Sequence, residues 1–235
     1  MTPALPPYDL PLVVAHRGGA LLRAENSASA FRFSISSGIR ALETDLQMSR
    51  DGVIFCWHDH DLSRIGFPGV TVWESQSQWL EGLALDSLGP LDRPGEPLLK
   101  LDDLLSIVGH KPVHLFLELK SPPESASEGI RERLLEHFLS ALDQTPCGAT
   151  VISSDTIFLR MIRLKRPDIP IVHLVDSSGP TSAFPRWGCA LGQNWQGEKD
   201  IVYTCKNVKD YLRAHQSGAN IWMCDHPLEA RRWHP

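Results

Sequence analysis

The sequence predicts an α/β fold, a TIM-type (β/α)8 barrel, and three observations carry that expectation. Short apolar runs alternate with amphipathic segments along the chain, the pattern of repeated strand–helix units on a parallel sheet. Polar and ionisable residues collect where those runs end, at His16-Arg17, Glu43 and Asp45, Glu118 and Lys120, Ser153, and Asp225. Strands that offer reactive groups at one common end are how such a barrel builds a site. The turn after the first run, His16-Arg17-Gly18-Gly19-Ala20, is not the G-x-G-x-x-G of an open dinucleotide-binding sheet. A length of 235 residues with no break in composition suits one domain spanning residues 1–235.

The elements follow in order. After a proline-rich lead-in, Leu12–Ala15 is a short continuous apolar run, as expected of a strand buried on both faces. Asn26 is placed to cap a helix running to about Ser37, with Ala30, Phe31, Phe33 and Ile35 as its apolar side. A strand starts at Ala41. The stretch of residues 60–100 is rich in Gly and Pro, long for a connection, and expected to be an inserted cap beside the site, packed by Trp73 and Trp79. Helix Leu101–Val108 and strand Val113–Lys120 come next, then a long amphipathic helix over Ser127–Leu142. Strand Ala149–Ser153, helix Thr156–Lys165 and strand Ile169–Val175 continue the alternation. A Gly/Pro/Ser-rich region covers residues 177–200, before strand Ile201–Cys205, helix Val208–Gln216 and strand Asn220–Cys224.

Composition narrows the function. Hydrophobic content of 42% and charged content of 22% are ordinary for a soluble globular protein. The formal net charge is −5 and no Lys/Arg stripe is present, so nucleic acid is not expected as a partner. No apolar run approaches the length of a transmembrane helix, and the N-terminus has neither a basic start nor an unbroken apolar core like a signal peptide. Five scattered cysteines without a C-x-x-C pair read as free thiols in a reducing cytoplasm. Oligomeric state is left open.

The densest chemistry runs from Leu42 to Asp59, read as two strands around the turn Ser49-Arg50-Asp51-Gly52. If Ser49 faces Gly52, Glu43 lies opposite His58 and Asp45 opposite Cys56, so Glu43, Asp45 and His58 share one face. Glu43, Asp45 and Glu118 can make an all-oxygen site suited to Mg²⁺ or Ca²⁺, beside a histidine able to move a proton. Zinc would want a His/Cys ligand set. Arg17 and Lys120 would face the same pocket and suit a phosphate. His16 and His58 arrive from different strands, as an acid and a base on opposite sides of a phosphorus require. The plainer alternative is a salt-bridge network of the same carboxylates and cations. The other histidines, His60, His110, His114, His137, His173, His215, His226 and His234, read as ordinary.

His16-Arg17-Gly18, Glu25-Asn26, the span LETDLQMSRDGVIFCWHDHDLSR and Glu118-Leu119-Lys120, in this order, closely resemble the glycerophosphodiester phosphodiesterase family. The resemblance implies a barrel enzyme that hydrolyses a small phosphodiester to an alcohol and glycerol 3-phosphate. It implies His16 and His58 as the catalytic pair, Glu43, Asp45 and Glu118 as metal ligands, and Arg17 and Lys120 as phosphate contacts. Relatives of lysophospholipase D type give an alternative within enzymes. The C-terminal half departs from the family's pattern of a W-T-V-N strand followed by a last strand ending in T-D-x-P. Ile221-Trp222-Met223-Cys224-Asp225-His226-Pro227 fits either slot, and the spacing of about 25 residues between Val175 and Ile201 favours the first, with a barrel one unit short. Read in the second slot, the barrel is complete but Tyr203-Thr204-Cys205-Lys206-Asn207 replaces the Trp strand. This altered C-terminal half also opens the reading of a non-catalytic binding protein on a decayed barrel.

Overall fold

The computed structural model describes residues 12–85, 88, 95–124, 129–145, 147–175, 184, 187–191 and 201–233. Strand β1, Leu12–Ala15, is buried along its whole length and pairs in parallel with β2, Ala41–Met48, on one side and β9, Ile221–Cys224, on the other. From β2 the ring continues through β4 (His114–Leu119), β5 (Gly148–Ser153), β6 (Ile171–Val175), β7 (Trp187–Ala190) and β8 (Ile201–Cys205) back to β9, every neighbour parallel. Eight parallel strands therefore close on themselves, and a short strand β3, Ile54–Cys56, pairs antiparallel with the upper part of β2. The barrel is complete. The spacing argument for a missing unit fails because β7 lies inside the stretch expected to hold only a loop. Its four residues, Trp187-Gly188-Cys189-Ala190, are too short and too glycine-interrupted to stand out by pattern.

Side-chain alternation sorts the strands into a lumen and an outer layer. Leu12, Val14, Ala41, Phe116, Ile152, Val172, Leu174, Ile201, Ile221 and Met223 fill the lumen. Leu42, Leu46, Leu115, Leu117 and Leu119 point outward beneath helices α1 (Ala28–Ser36), α3 (Leu101–Val108), α4 (Ile130–Asp143) and α5 (Thr156–Lys165). The sequence start expected for α4, Ser127, lies outside the described residues. On the far side Val13, Val202, Trp222 and Cys224 pack against α6, Val208–Gln216, through Tyr211 and Ala214. The chain ends its last unit with α7, Pro227–Ala230.

Trp222 thus belongs to the outer layer, its indole N–H donating to the Ala219 carbonyl at 2.9 Å, and forms no wall of the lumen. Trp222→Ala should remove about 3–5 kcal/mol of packing and lower Tm by roughly 10 °C. A thermal melt beside a turnover assay checks this, and loss of turnover per folded molecule without loss of stability would contradict the outward placement.

Two local expectations change. The cap of α1 is Ser27, whose hydroxyl accepts the Ala30 N–H at 3.1 Å; the Asn26 side chain is turned toward the strand ends instead. The β2–β3 hairpin carries a three-residue loop, Arg50-Asp51-Gly52, with Gly52 at φ 99° and Leu46 paired to Cys56. That register is one residue from the expected one, because the left-handed glycine lengthens the loop. A slip of one residue exchanges the two faces of a strand. His58 therefore has no place opposite Glu43 and lies beyond the end of β3, on the loop.

Phe55 of β3 and, beyond that strand, Trp57, Leu62, Val72, Leu80, Leu83, Leu85, Leu88 and Leu98 form an apolar cluster of their own, with helix α2 (Ser77–Leu80) in it. Trp73 is buried against the outer barrel layer, while Trp79 is 42% exposed and meets Phe67 edge-on. The Glu96 carboxylate takes the Ser29 N–H and hydroxyl, both at 2.7 Å, and ties this segment to the start of α1.

Candidate active site at the C-terminal strand ends

Glu43 and Asp45 are alternate residues of β2 and share the lumen side with Ala41, while Asp45 is the register partner of Glu118 on β4. The sheet itself therefore converges three carboxylates, and one oxygen from each lies within 4.8 Å of the others. Glu43 and Asp45 are buried, and half-buried Glu118 meets them beside two half-buried cations. Lys120 Nζ stands 2.7 Å from Glu118 Oε1 and 2.9 Å from Asp45 Oδ1. The Arg17 backbone N–H donates to Glu43 Oε2 at 2.8 Å, its Nε is 3.3 Å from Asp45 Oδ2, and its Nη1 donates to Glu25 Oε1 at 3.0 Å.

Arg17 adopts the left-handed region (φ 50°), as does Asn26 (φ 55°). Side-chain-bearing residues stay there only when their surroundings hold them. Arg17 is held by its bond to Glu43. Asn26 is held by donating to Asp45 Oδ2 at 2.9 Å while accepting the Thr44 hydroxyl at 2.8 Å. Gly18 next door cannot be replaced, because a Cβ there would come within 2.9 Å of the Ala30 Cβ.

His16 and His58 each have one ring nitrogen held by a carboxylate. His16 Nδ1 lies 2.5 Å from Asp225 Oδ1, with Nε2 turned toward Glu43 at 3.9 Å. His58 Nδ1 lies 2.7 Å from Asp59 Oδ1. The Gln47 side-chain amide, pointing from β2, donates to the carbonyls of Trp57 (3.0 Å) and Asp59 (2.7 Å) and so clamps the backbone on both sides of His58. Both contacts leave Nε2 for proton transfer when Nδ1 carries the hydrogen.

The electrostatics follow from burial and crowding. Glu43 is held well above the ordinary carboxylate value, first by burial and then by the charges of Asp45 and Glu118. Glu118 is pushed up to about 7 by burial, with Asp45 adding to the rise and Lys120 opposing it. Burial acts on Asp45 in the same direction, but Lys120 and Arg17 outweigh it and hold that carboxyl far below its usual range. Burial lowers His58, against the opposing pull of Asp45. Without a further positive charge the three carboxylates cannot all ionise cheaply.

A divalent cation fits that deficit. Asp45 Oδ1 is completely buried and lacks an aligned hydrogen-bond donor despite its proximity to Lys120. The donor set is all oxygen, the chemistry of a hard divalent cation. Arg17, the second cation, is shared with Glu25.

His16, Arg17, Glu43, Asp45, Glu118 and Lys120 lie in one linked cluster, and His58 joins it through the field of Asp45. Glu25, Asn26, Gln47, Asp59 and Asp225 complete the surroundings. The sequence puts Asp225 at a strand tip, Glu25 and Asn26 in a family motif and Asn26 at a helix cap, and gives none of the five a role in the chemistry. Asp225 is signalled by its place at the tip of the last strand, Asp59 by its adjacency to His58, and Glu25 and Asn26 by the motif they form. Contacts of Glu25, Asn26 and Gln47 depend on loop paths that no periodicity encodes.

Fold and site together define a class: an α/β-barrel protein with an acidic, cation-flanked centre at the C-terminal ends of its strands. The chain belongs to the glycerophosphoryl diester phosphodiesterase family, whose model matches residues 16–223. It is 34% identical over 175 residues to the Mycobacterium tuberculosis protein named "Probable glycerophosphodiester phosphodiesterase 1", covering 70% of this chain and 64% of that one. It is 27% identical over 168 residues to a glycerophosphodiester phosphodiesterase of Arabidopsis thaliana, covering 70% of this chain and 50% of that one. The matched region thus spans about half to two-thirds of those relatives. The fold is similar to that of an Oleispira antarctica phosphodiesterase solved with the product sn-glycerol-3-phosphate, at a TM-score of 0.80, 20% identity and coverage of 95% and 96% of the two chains. It is also similar to a glycerophosphodiester phosphodiesterase of Parabacteroides distasonis, at a TM-score of 0.75, 18% identity and 94% coverage of each chain. No helix among the described residues is long and apolar enough to cross a membrane.

Proposed function

We propose that this chain hydrolyses glycerophosphodiesters to an alcohol and glycerol 3-phosphate. The observation that carries the reading is the convergence of Glu43, Asp45 and Glu118 within 4.8 Å, with Lys120 and Arg17 against them and two carboxylate-anchored imidazoles at the same strand ends. Glu43, Asp45 and Glu118 would hold Mg²⁺ or Ca²⁺, which when bound supplies positive charge to a phosphate oxygen. Arg17 and Lys120 grip the remaining phosphate oxygens and neutralise charge that grows in the transition state. His16, held by Asp225, takes the proton from the attacking oxygen through Nε2. His58, at the more exposed mouth, gives its Nε2 proton to the leaving alkoxide. An incoming phosphodiester anion favours the protonated form of His58 and offsets the effect of burial. The attacking oxygen is water or a neighbouring substrate hydroxyl; both use the same two imidazoles.

Residues 60–100 act as a cap within a single unit of residues 1–235, and the protein works on deacylated phospholipid products in the cytoplasm. The closed barrel supports the hydrolase reading over one resting on a missing strand–helix unit. The test is incubation with glycerophosphocholine, with lysophosphatidylcholine in parallel. Release of choline and glycerol 3-phosphate from the first is the expected result. Choline release from the lysolipid alone would move the assignment to the lysophospholipase D type, and turnover of neither would overturn it.

A further inference from the structure

Arg64 lies outside the carboxylate cluster yet reaches the same site. It sits on a single turn of 3₁₀ helix, Ser63–Ile65, in the segment beyond β3. The turn is firmly built. Leu62 is wholly buried beside Trp57, and its N–H bonds the Val70 carbonyl at 2.8 Å. The Asp61 carboxylate accepts the Ser63 N–H, the Ser63 hydroxyl and the Gly69 N–H, while the Trp57 indole donates to the Asp61 carbonyl at 3.1 Å. From this base the guanidinium lies 5.7 Å from the centre of the Trp57 ring. Its Nε donates to Asp59 Oδ2, and its Nη2 donates to Glu25 Oε1 at 2.6 Å.

The two carboxylates it bridges have other tasks. Asp59 uses its second oxygen on His58 Nδ1, and Glu25 also accepts from Arg17. A chain of charge-assisted contacts therefore runs Arg17–Glu25–Arg64–Asp59–His58. We propose that Arg64 is a positioning residue for His58: it fixes the Asp59 carboxylate so that the imidazole presents Nε2 to the substrate, and it ties that geometry through Glu25 to the arginine at the phosphate. This rests on the reading of His58 as an acid–base residue. The planar fork of an arginine can hold two carboxylates at a set angle, which an ammonium cannot. Where a carboxylate orients a histidine, the group that orients the carboxylate contributes to the same alignment.

The charges facing His58 are Asp45 from β2, Arg17 following β1, Lys120 following β4, and Asp59 beside it. Arg64 acts on the ring through Asp59, whose charge it balances. Removing that balance leaves Asp59 freer to favour the imidazolium, whereas removing the Asp59 charge does the reverse. The two substitutions should therefore move His58 in opposite directions, which general loosening of the loop would not do.

The experiment follows His58 by NMR of its ring nitrogens in chelator-treated protein, for the wild type, Arg64→Gln, Arg64→Lys and Asp59→Asn. The His58 midpoint should rise by about half a unit in Arg64→Gln and fall by a similar amount in Asp59→Asn. In turnover assays of the cation-loaded protein, Arg64→Gln should lower kcat about tenfold and leave KM within about threefold. Arg64→Lys keeps a positive charge near Asp59 and should hold the midpoint near the wild-type value while kcat still falls. Shifts of both variants in the same direction, or an unmoved His58 with unchanged kcat, would overturn the proposal. A rise in KM with kcat intact would also overturn it, making Arg64 a substrate-binding cation. The titration needs no turnover, so an inactive protein whose His58 still responds would count against the hydrolase reading and leave the relay intact.

Discussion

Removal of divalent cations should lower turnover by about a thousandfold or more, and added Mg²⁺ or Ca²⁺ should restore it, since the charge such an ion supplies is worth several kcal/mol in the transition state. The reason lies in the strand ends. Three carboxylates share a buried site with Lys120 and Arg17, and one Asp45 oxygen has no aligned donor. The same crowding makes cation binding depend on pH. With Glu118 pushed up to about 7 by burial and by Asp45, the metal-free site retains protons near neutrality. A cation must displace them, so apparent affinity should rise with pH up to neutrality, by at most about tenfold per unit of pH for each proton displaced. Titration calorimetry in buffers of different ionisation enthalpy would detect the released proton.

The contribution of Glu118 to the stability of the metal-free protein should fall between about pH 4.5 and 7. The folded-state pKa of Glu118 is raised above its unfolded value of 4.5, so its contribution is fully present below about 4.5 and lost as pH rises through about 7. Asp45 is shifted the other way and loses its contribution only in acid, so it does not offset the slope. Buried His114, lowered to about 4, contributes a slope of the opposite sign, so the comparison is with Glu118→Gln. A metal-free wild-type Tm that falls no more steeply from pH 5 to pH 8 than that of Glu118→Gln would contradict the assigned crowding.

His16→Ala and His58→Ala should each lower kcat by about 10²–10⁴-fold while the protein remains folded, the usual contribution of a positioned acid or base. The two should differ in kind. A leaving alkoxide needs a proton and a p-nitrophenolate does not, so His58→Ala should be nearly silent on bis(p-nitrophenyl) phosphate yet severe on glycerophosphocholine. His16→Ala should be severe on both, because the attacking oxygen is common to them. Equal losses for the two variants on both substrates would reject the division of roles. Asp225→Asn should follow His16→Ala on both substrates at reduced amplitude, since it disturbs the nitrogen opposite the reacting one.

Much of this centre was legible in the chain. Apolar runs buried on both faces announced a parallel sheet, and the ionisable residues at their ends announced where a site would form. Glu43, Asp45 and Glu118 converge because alternation along β2 and register with β4 are consequences of a two-residue period. The hairpin register was misread for a definite reason: whether Gly52 counts as turn or strand changes the pairing by one, and only the folded loop decides it. His58 still reaches the site from beyond β3 because Gln47 holds the loop on both sides of it, a contact with no sequence signature.

The C-terminal half divides in the same way. Trp222 and Asp225 stand three residues apart, so alternation along β9 must send them to opposite faces once Met223 is in the lumen. Which face is which follows from the pairing of β9 with β1, a contact between residues more than two hundred positions apart.

The sequence by itself determined the fold class, the carboxylates and cations of the centre, and the family, because each is written in short-range pattern: the period of a strand, the residue type at its tip, the order of a few motifs. Closure of the barrel through the inconspicuous β7, the register of the hairpin, and the carboxylates that hold His16 and His58 were decided only by tertiary structure. They depend on where distant segments meet, and local spacing carries no information about that.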